Sequence, residues 1–229
     1  MKKLKKLLKA DLHLHTKEDP QDKINYSAKE LINYMSKLNF DVISITNHNK
    51  ITYSEELADY ARKKNILLIP GVEKTIQEKH ILFYNVSQEE INDIKELDDI
   101  KKIKHKKNLI VAAHPFFIIN SLGPKLLKYI SLFDAVEYSH FYIKMINFNR
   151  KAVKISKKFN KPLLGTSDSH FLFQTGYTYS LINSEKKINS VLKAIKENKV
   201  SIRTKPLPIH KFFFMVIFII KDKIRKFYK

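Results

Sequence analysis

At 229 residues and 44% hydrophobic content the chain is long enough for one domain with a real core and too apolar for disorder. It contains no cysteine, which excludes disulfides and thiolate metal sites and leaves only nitrogen and oxygen donors for any metal. The formal charge of +20 favours polyanions such as nucleic acid or an anionic membrane, although lysine spread over exposed helix faces gives the same total.

The basic segment Met1–Lys9 lacks the apolar centre of a secretory signal, and no run approaches the ~20 apolar residues of a spanning helix. These features predict a cytoplasmic protein. The first apolar run, Ala10 to His15, predicts a strand. A helix follows from a capping box at Ser27 and Glu30, with Leu31, Tyr34, Met35 and Leu38 on one face. Asp41 to Thr46 predicts the next strand, and Thr52 with Glu55 the start of a second helix. Strands are expected at Ile66–Val72 and Ile81–Val86, and a long charged helix from Ser87 toward Lys106. Leu109–Ala113, Phe133–Tyr138 and Pro162–Thr166 complete seven strands, with a helix over Lys144–Phe159 before the last. Thr178–Ile182 reads as an edge strand and Asn189–Glu197 as a final helix. Strands alternating with helices predict an α/β fold, a (β/α) barrel in preference to an open doubly wound sheet. The chain divides into a leader (1–9), a single catalytic-type domain (10–204) and a tail (205–229).

In a parallel barrel the carboxyl ends of the strands meet on one face. Four apolar runs end in polar clusters: Asp11-Leu-His13-Leu-His15, Thr46-Asn-His48, Ala112-Ala-His114-Pro115 and Thr166-Ser-Asp168-Ser-His170. Pro70-Gly-Val-Glu73 adds a carboxylate, and His80 opens another strand. His13 and His15 are two apart and share a strand face, and Asp168 and His170 repeat that spacing. Singly, each is an ordinary strand-end residue: His48 a hydrogen-bonded histidine, Glu73 a solvated carboxylate, His114-Pro115 a turn. Together they predict a metal cluster of Zn, Mn or Fe rather than Ca or Mg alone.

The same blocks, in the same order, resemble the PHP (polymerase and histidinol phosphatase) family over about residues 10 to 185. The resemblance implies a distorted (β/α)7 TIM-like barrel, two or three divalent metals and phosphoester hydrolysis. It implies His13, His15, His48, Glu73, His80, His114, Asp168 and His170 as metal ligands, and a further acidic ligand after His15. Asp19 is the candidate, with Asp22 and Glu18 as alternatives. Asn47 stands where the family has Asp, a position expected to tune His48 rather than to bind metal. The span between His114 and Asp168 leaves no room for the cap domain of some family nucleases.

A hydroxide bridging metals about 3.5–4 Å apart is the expected nucleophile, so no protein nucleophile is needed. Lys17 and Lys74 flank ligand segments, and Lys17 and His140 are candidate substrate contacts; the competing reading makes the lysines solvated and His140 a loop cap. His105 and His210 are expected outside the site. The expected substrate is phosphorylated, a nucleotide or an oligonucleotide 5′ end, with a histidinol-phosphate-type phosphatase or a non-catalytic metal-stabilised module as alternatives. The tail carries nine apolar residues, Phe212 to Ile220, flanked by lysines. As a helix this run covers about 14 Å, too short to span a bilayer. It predicts either a terminal helix or strand packed on the barrel or a peripheral anchor on anionic lipid.

Overall fold

The computed structural model describes residues 7–227, so most of the basic leader falls outside the described residues. The chain runs through β1 (Leu8–Leu14), α1 (Ala28–Lys37), β2 (Val42–Ile45), α2 (Glu55–Lys63), β3 (Leu67–Leu68), β4 (Gly71–Ile76) and β5 (Lys79–Tyr84). It continues with α3 (Gln88–Asp93), α4 (Ile100–Ile103), β6 (Leu109–Ala112), α5 (Lys125–Tyr129), β7 (Ala135–Ser139) and α6 (Asn149–Lys158). The last elements are β8 (Leu163–Thr166), β9 (Thr178–Ile182), α7 (Ile188–Lys196), β10 (Val200–Thr204) and α8 (Ile209–Phe227).

Local signals explain most boundaries. Ser27 and Ser87 each form the full reciprocal capping box with Glu30 and Glu90. The second helix is capped by Ser54 rather than Thr52, whose hydroxyl instead accepts from Asn47 Nδ2. The long helix expected after Ser87 breaks at Ile94, which turns extended, and the Asp99 carboxylate then accepts from the Lys95 and Glu96 amides. With only four glycines in the chain, asparagine takes the left-handed position after the helices. Asn39, Asn65, Asn160 and Asn198 follow the C-caps of α1, α2, α6 and α7 at φ 55°, 59°, 48° and 57°.

The strands form two five-stranded sheets, β10-β9-β1-β2-β3 and β4-β5-β6-β7-β8, rather than the closed barrel expected from sequence. Two seams separate them. Between β3 and β4 stands Pro70, which has no N–H for a ladder. Between β8 and β9 the Ser180 hydroxyl does the joining, accepting from Gly165 N and donating to Gly165 O, both at 2.9 Å. A Cβ on Gly165 would sit 2.9 Å from Tyr179 O, so this approach requires glycine. The isolated bridges His48–Glu73 and Leu14–Ser169 cross from one sheet to the other. Both fall on or beside candidate site residues. β9, expected at an edge, pairs with both β1 and β10.

One apolar cluster, including Leu12, Val42, Leu82, Val111 and Leu164, draws on strands of both sheets. α1 and α2 pack on Ile43 and Ile45 of the first sheet, and α3 to α6 on Phe83, Ile110 and Val136 of the second.

Candidate metal centre

His13 lies in β1 and His15 one residue beyond it; His48 follows β2, His114 follows β6, His140 follows β7, and Asp168 and His170 follow β8. His80 is near the start of β5, yet reaches the same place because β5 runs antiparallel to β4 and β6. His114 and Asp168 adopt positive φ, 21° and 44°, at the turns leaving their strands, a strained backbone of the kind concentrated at functional sites. Glu73 comes from β4, where Gly71 lets the strand approach β2: a Cβ there would meet Ser44 Oγ at 2.3 Å.

Glu73 is the hub. Its Oε1 lies 2.7 Å from His80 Nδ1 and 3.1 Å from His114 Nε2. Its Oε2 lies 3.3 Å from His13 Nε2, 3.3 Å from His15 Nε2 and 3.1 Å from His48 Nε2. The same two nitrogens of His13 and His15 are each 3.3 Å from Asp168 Oδ1. Three overlapping sets place donor atoms within 4.8 Å of one another: His13, His15, Glu73 and Asp168; His48, Glu73 and His80; and His15, Asp19 and His48.

These atoms fit a divalent cation. His13 Nε2 and His15 Nε2 are buried and make no hydrogen bond, although carboxylate oxygens stand close by. Donors at the corners of a tetrahedron around an ion at about 2.0–2.1 Å are roughly 3.3–3.4 Å apart, matching the 3.3 Å spacings here. Nitrogen and carboxylate oxygen are the donors of Zn, Mn and Fe sites.

The electrostatics are set by burial opposed by neighbours. Burial alone would push the His13 imidazole down, but the carboxylates of Asp168, Glu137 and Glu73 outweigh it and hold it well above the usual range. His15 behaves alike through Asp168, Asp19 and Glu73. Burial would raise Glu73 and Asp168, yet the surrounding imidazoles keep both well below the ordinary carboxylate range. His140 is held down to about 4, chiefly by burial.

Of the three acidic candidates after His15, Glu18 turns away and accepts from Ala28 N at the start of α1. Asp19 Oδ2 meets His15 Nδ1 at 3.0 Å and His48 Nδ1 at 2.9 Å. Asp22 Oδ2 lies 2.9 Å from His170 Nε2 and 3.6 Å from His48 Nδ1. Asn47 does not bear on the His48 ring; it joins Thr16 to Thr52, accepting from Thr16 N and donating to both hydroxyls. Lys17 is exposed and does not line the cavity over the cluster, whereas His140 does. His105 and His210 are exposed.

Two side chains escaped the sequence reading. Glu137, fully buried in β7, accepts from His13 Nδ1 at 2.7 Å and from His114 N and Thr166 Oγ1. A charged residue within an otherwise apolar strand was its one sequence signal. Gln174 Oε1 accepts from the His170 and Phe171 amides, which leaves its Nε2 to donate to His140 Nε2 at 2.9 Å. His140 therefore carries its proton on Nδ1, an atom with no protein partner.

A cavity of about 310 Å³ opens above the cluster. Its far side is formed by Phe117, Phe141 and the tail helix α8, through Met215, Phe218 and Ile219. α8 is held there by Phe212 and Met215, packed with Phe141, Ile143 and Leu207. The tail thus packs on the domain as a helix, while Phe213, Phe214, Ile217 and Ile220 remain exposed on it. No described helix is long and apolar enough to cross a membrane.

Residues 147–200 match the family model described as PHP-associated. No curated protein matches the sequence. The fold is similar to that of PsfC from Pseudomonas syringae PB-5123, at a TM-score of 0.64 and 13% identity over 95% of this chain and 98% of that one. It is also similar to a candidate metal-dependent phosphoesterase from Bifidobacterium adolescentis, at 0.53 and 14%, over 71% and 87% of the two chains. A lesion-specific endonuclease from Pyrococcus furiosus gives 0.56 and 14%, over 82% of this chain and 56% of that one. The PHP resemblance seen in the sequence blocks is met again in the family model over residues 147–200.

Proposed function

We propose that this chain, PHP-type by its family-model match and its fold, is a metal-dependent phosphoesterase. The observation that carries the reading is the set of buried donor atoms at 3.3 Å spacing with two imidazole nitrogens making no hydrogen bond. His13, His15, His48, Glu73, His80, His114, Asp168 and His170 would hold two or three divalent ions (Zn, Mn or Fe), with Asp19 as the acidic residue of the third set and Asp22 beside His170. Such ions, when bound, supply a nucleophilic hydroxide at neutral pH and polarise the phosphoryl oxygens.

The chain's own residues do the positioning. Glu137 accepts the His13 Nδ1 proton and so turns Nε2 toward the cluster. Asp19 does the same for His15 and His48. Gln174 fixes the neutral His140, whose Nδ1–H is buried beside the cluster without a protein partner.

A nucleotide or oligonucleotide end draws support from the net charge and from the endonuclease likeness. Against it, no Lys or Arg is among the described residues that line the cavity. The outward apolar residues of α8 support a second role for the tail, peripheral contact with an anionic membrane. Co-sedimentation with anionic vesicles, lost in Phe213→Ser/Ile217→Ser, tests it.

Metal analysis of the purified chain, with phosphate release from p-nitrophenyl phosphate, tests the main reading. Turnover should disappear on chelation, return with Mn or Zn, and fall at least a hundredfold in His13→Ala and Asp168→Ala. Undiminished turnover by verified metal-free protein would overturn it.

A further inference from the structure

The cavity has two chemically different walls. One is the imidazole and carboxylate cluster. The other is Phe117, Phe141, Met215, Phe218 and Ile219, three of them from α8. Of the neutral polar groups on the cavity, Gln174 bonds His140 and the His170 and Phe171 amides and the Ser139 hydroxyl accepts from Phe141 N, while Gln21, Asn120 and His140 supply the rest. Although the chain carries a net charge of +20, no Lys or Arg lines this cavity among the described residues. A nucleic-acid strand requires cations tracking its successive phosphates. A single phosphate held by the cluster does not.

We propose that the substrate is a phosphomonoester of an apolar alcohol, its phosphate over the strand-end cluster and its hydrocarbon against α8. This rests on the phosphoesterase reading for the phosphate half and names the alcohol half. At about 310 Å³ the cavity is within the range of small-molecule sites, which bury apolar surface and orient it through few polar groups. Phe212 and Met215 are buried in the contact that seats α8, so the apolar wall is anchored rather than loosely laid on. Apolar residues continue on the outer side of the same helix, at Phe213, Phe214, Ile217 and Ile220.

The test is calorimetry on the full, Mn-loaded chain with ethyl-, butyl-, hexyl- and octylphosphonate, and with a thymidine 5′-phosphonate as the polar comparison. Kd should fall roughly two- to fourfold per added CH2, the equivalent of up to about 0.8 kcal/mol each, until the cavity is filled. The nucleoside should bind no tighter than the ethyl compound. Ile219→Gln should flatten the series, weakening octylphosphonate at least tenfold relative to ethylphosphonate; the wild-type series decides the matter even if that variant misfolds. A Kd independent of chain length, or a nucleoside preferred over octyl, overturns the proposal. Phosphate release from the matching alkyl phosphates is measured in parallel, free in solution and as hexadecyl phosphate in vesicles, to separate a soluble from a lipid source. Chain-length dependence without any phosphate release would sink the hydrolase reading alone. Hydrolysis without chain-length dependence would sink only the apolar alcohol.

Discussion

The two walls of the cavity are built in opposite ways. The metal-type wall takes its donors from the ends of six strands in two sheets, from His13 to His170, and no two adjacent strands suffice to make it. The apolar wall comes largely from one continuous helix that follows Pro206 and Pro208. In the first, His13 is held by a further hydrogen bond to Glu137 and His15 and His48 by bonds to Asp19, because an unpaired buried charge is costly. In the second, position is set by side-chain packing, which tolerates exchange of one apolar residue for another. On the reading proposed above, chemistry and choice of substrate would be carried by parts that can change separately.

That separation can be broken experimentally. The largest effect is expected from Glu73→Ala, since one carboxylate contacts five histidines. It should reduce bound metal by more than half and phosphate release by at least about a thousandfold, read by metal analysis and turnover. Retention of full metal content would show that Glu73 is not the hub.

Metal uptake should be coupled to protons. In the metal-free protein the neighbouring carboxylates hold His13 and His15 above their usual range, so both carry protons at neutral pH. Those protons must leave when metal binds, so acid opposes binding. Titrating Mn into weakly buffered metal-free protein at pH 7 should release protons, and the half-saturating metal concentration should rise about tenfold per unit fall in pH for each proton displaced. Uptake without acidification would contradict these protonation states.

Glu137→Gln should weaken metal binding by roughly 10- to 100-fold with the fold retained, because the amide can no longer fix the His13 tautomer as a carboxylate does. Circular dichroism and metal competition read the two effects apart. The mildest change for the metal wall should come from the other side. Phe212→Ala should destabilise the docking of α8 by about 3 kcal/mol, seen as lost hydrogen-exchange protection in the helix, and leave metal content unchanged. Loss of metal in that variant would mean the two walls are not independent.

Most of the strand and helix order was legible in the chain itself, because strand-end His and Asp residues interrupt apolar runs and Ser–Glu pairs mark helix starts at Ser27 and Ser87. The spacing of His13 with His15 and of Asp168 with His170 was equally local, and those four do converge. Long-range pairings were not legible. Glu137 meets His13 across 124 residues, and within β7 it looks like a lone charged residue in a core strand. Gln174 acquires its role only because the turn after β8 brings it to His140.

The division into two sheets was half visible. Pro70 announces one seam by lacking an N–H, whereas the seam between β8 and β9 depends on Ser180 reaching Gly165, which no local pattern encodes. The tail shows the same boundary. Its nine-residue apolar run dictated an apolar element by composition, and the structure makes it a helix. That one side of this helix closes over the strand ends was decided by Phe141, Ile143 and Leu207 offering a surface for Phe212 and Met215. Hydrophobic burial is non-directional, so a sequence can specify an apolar face while only the assembled fold determines what that face will cover.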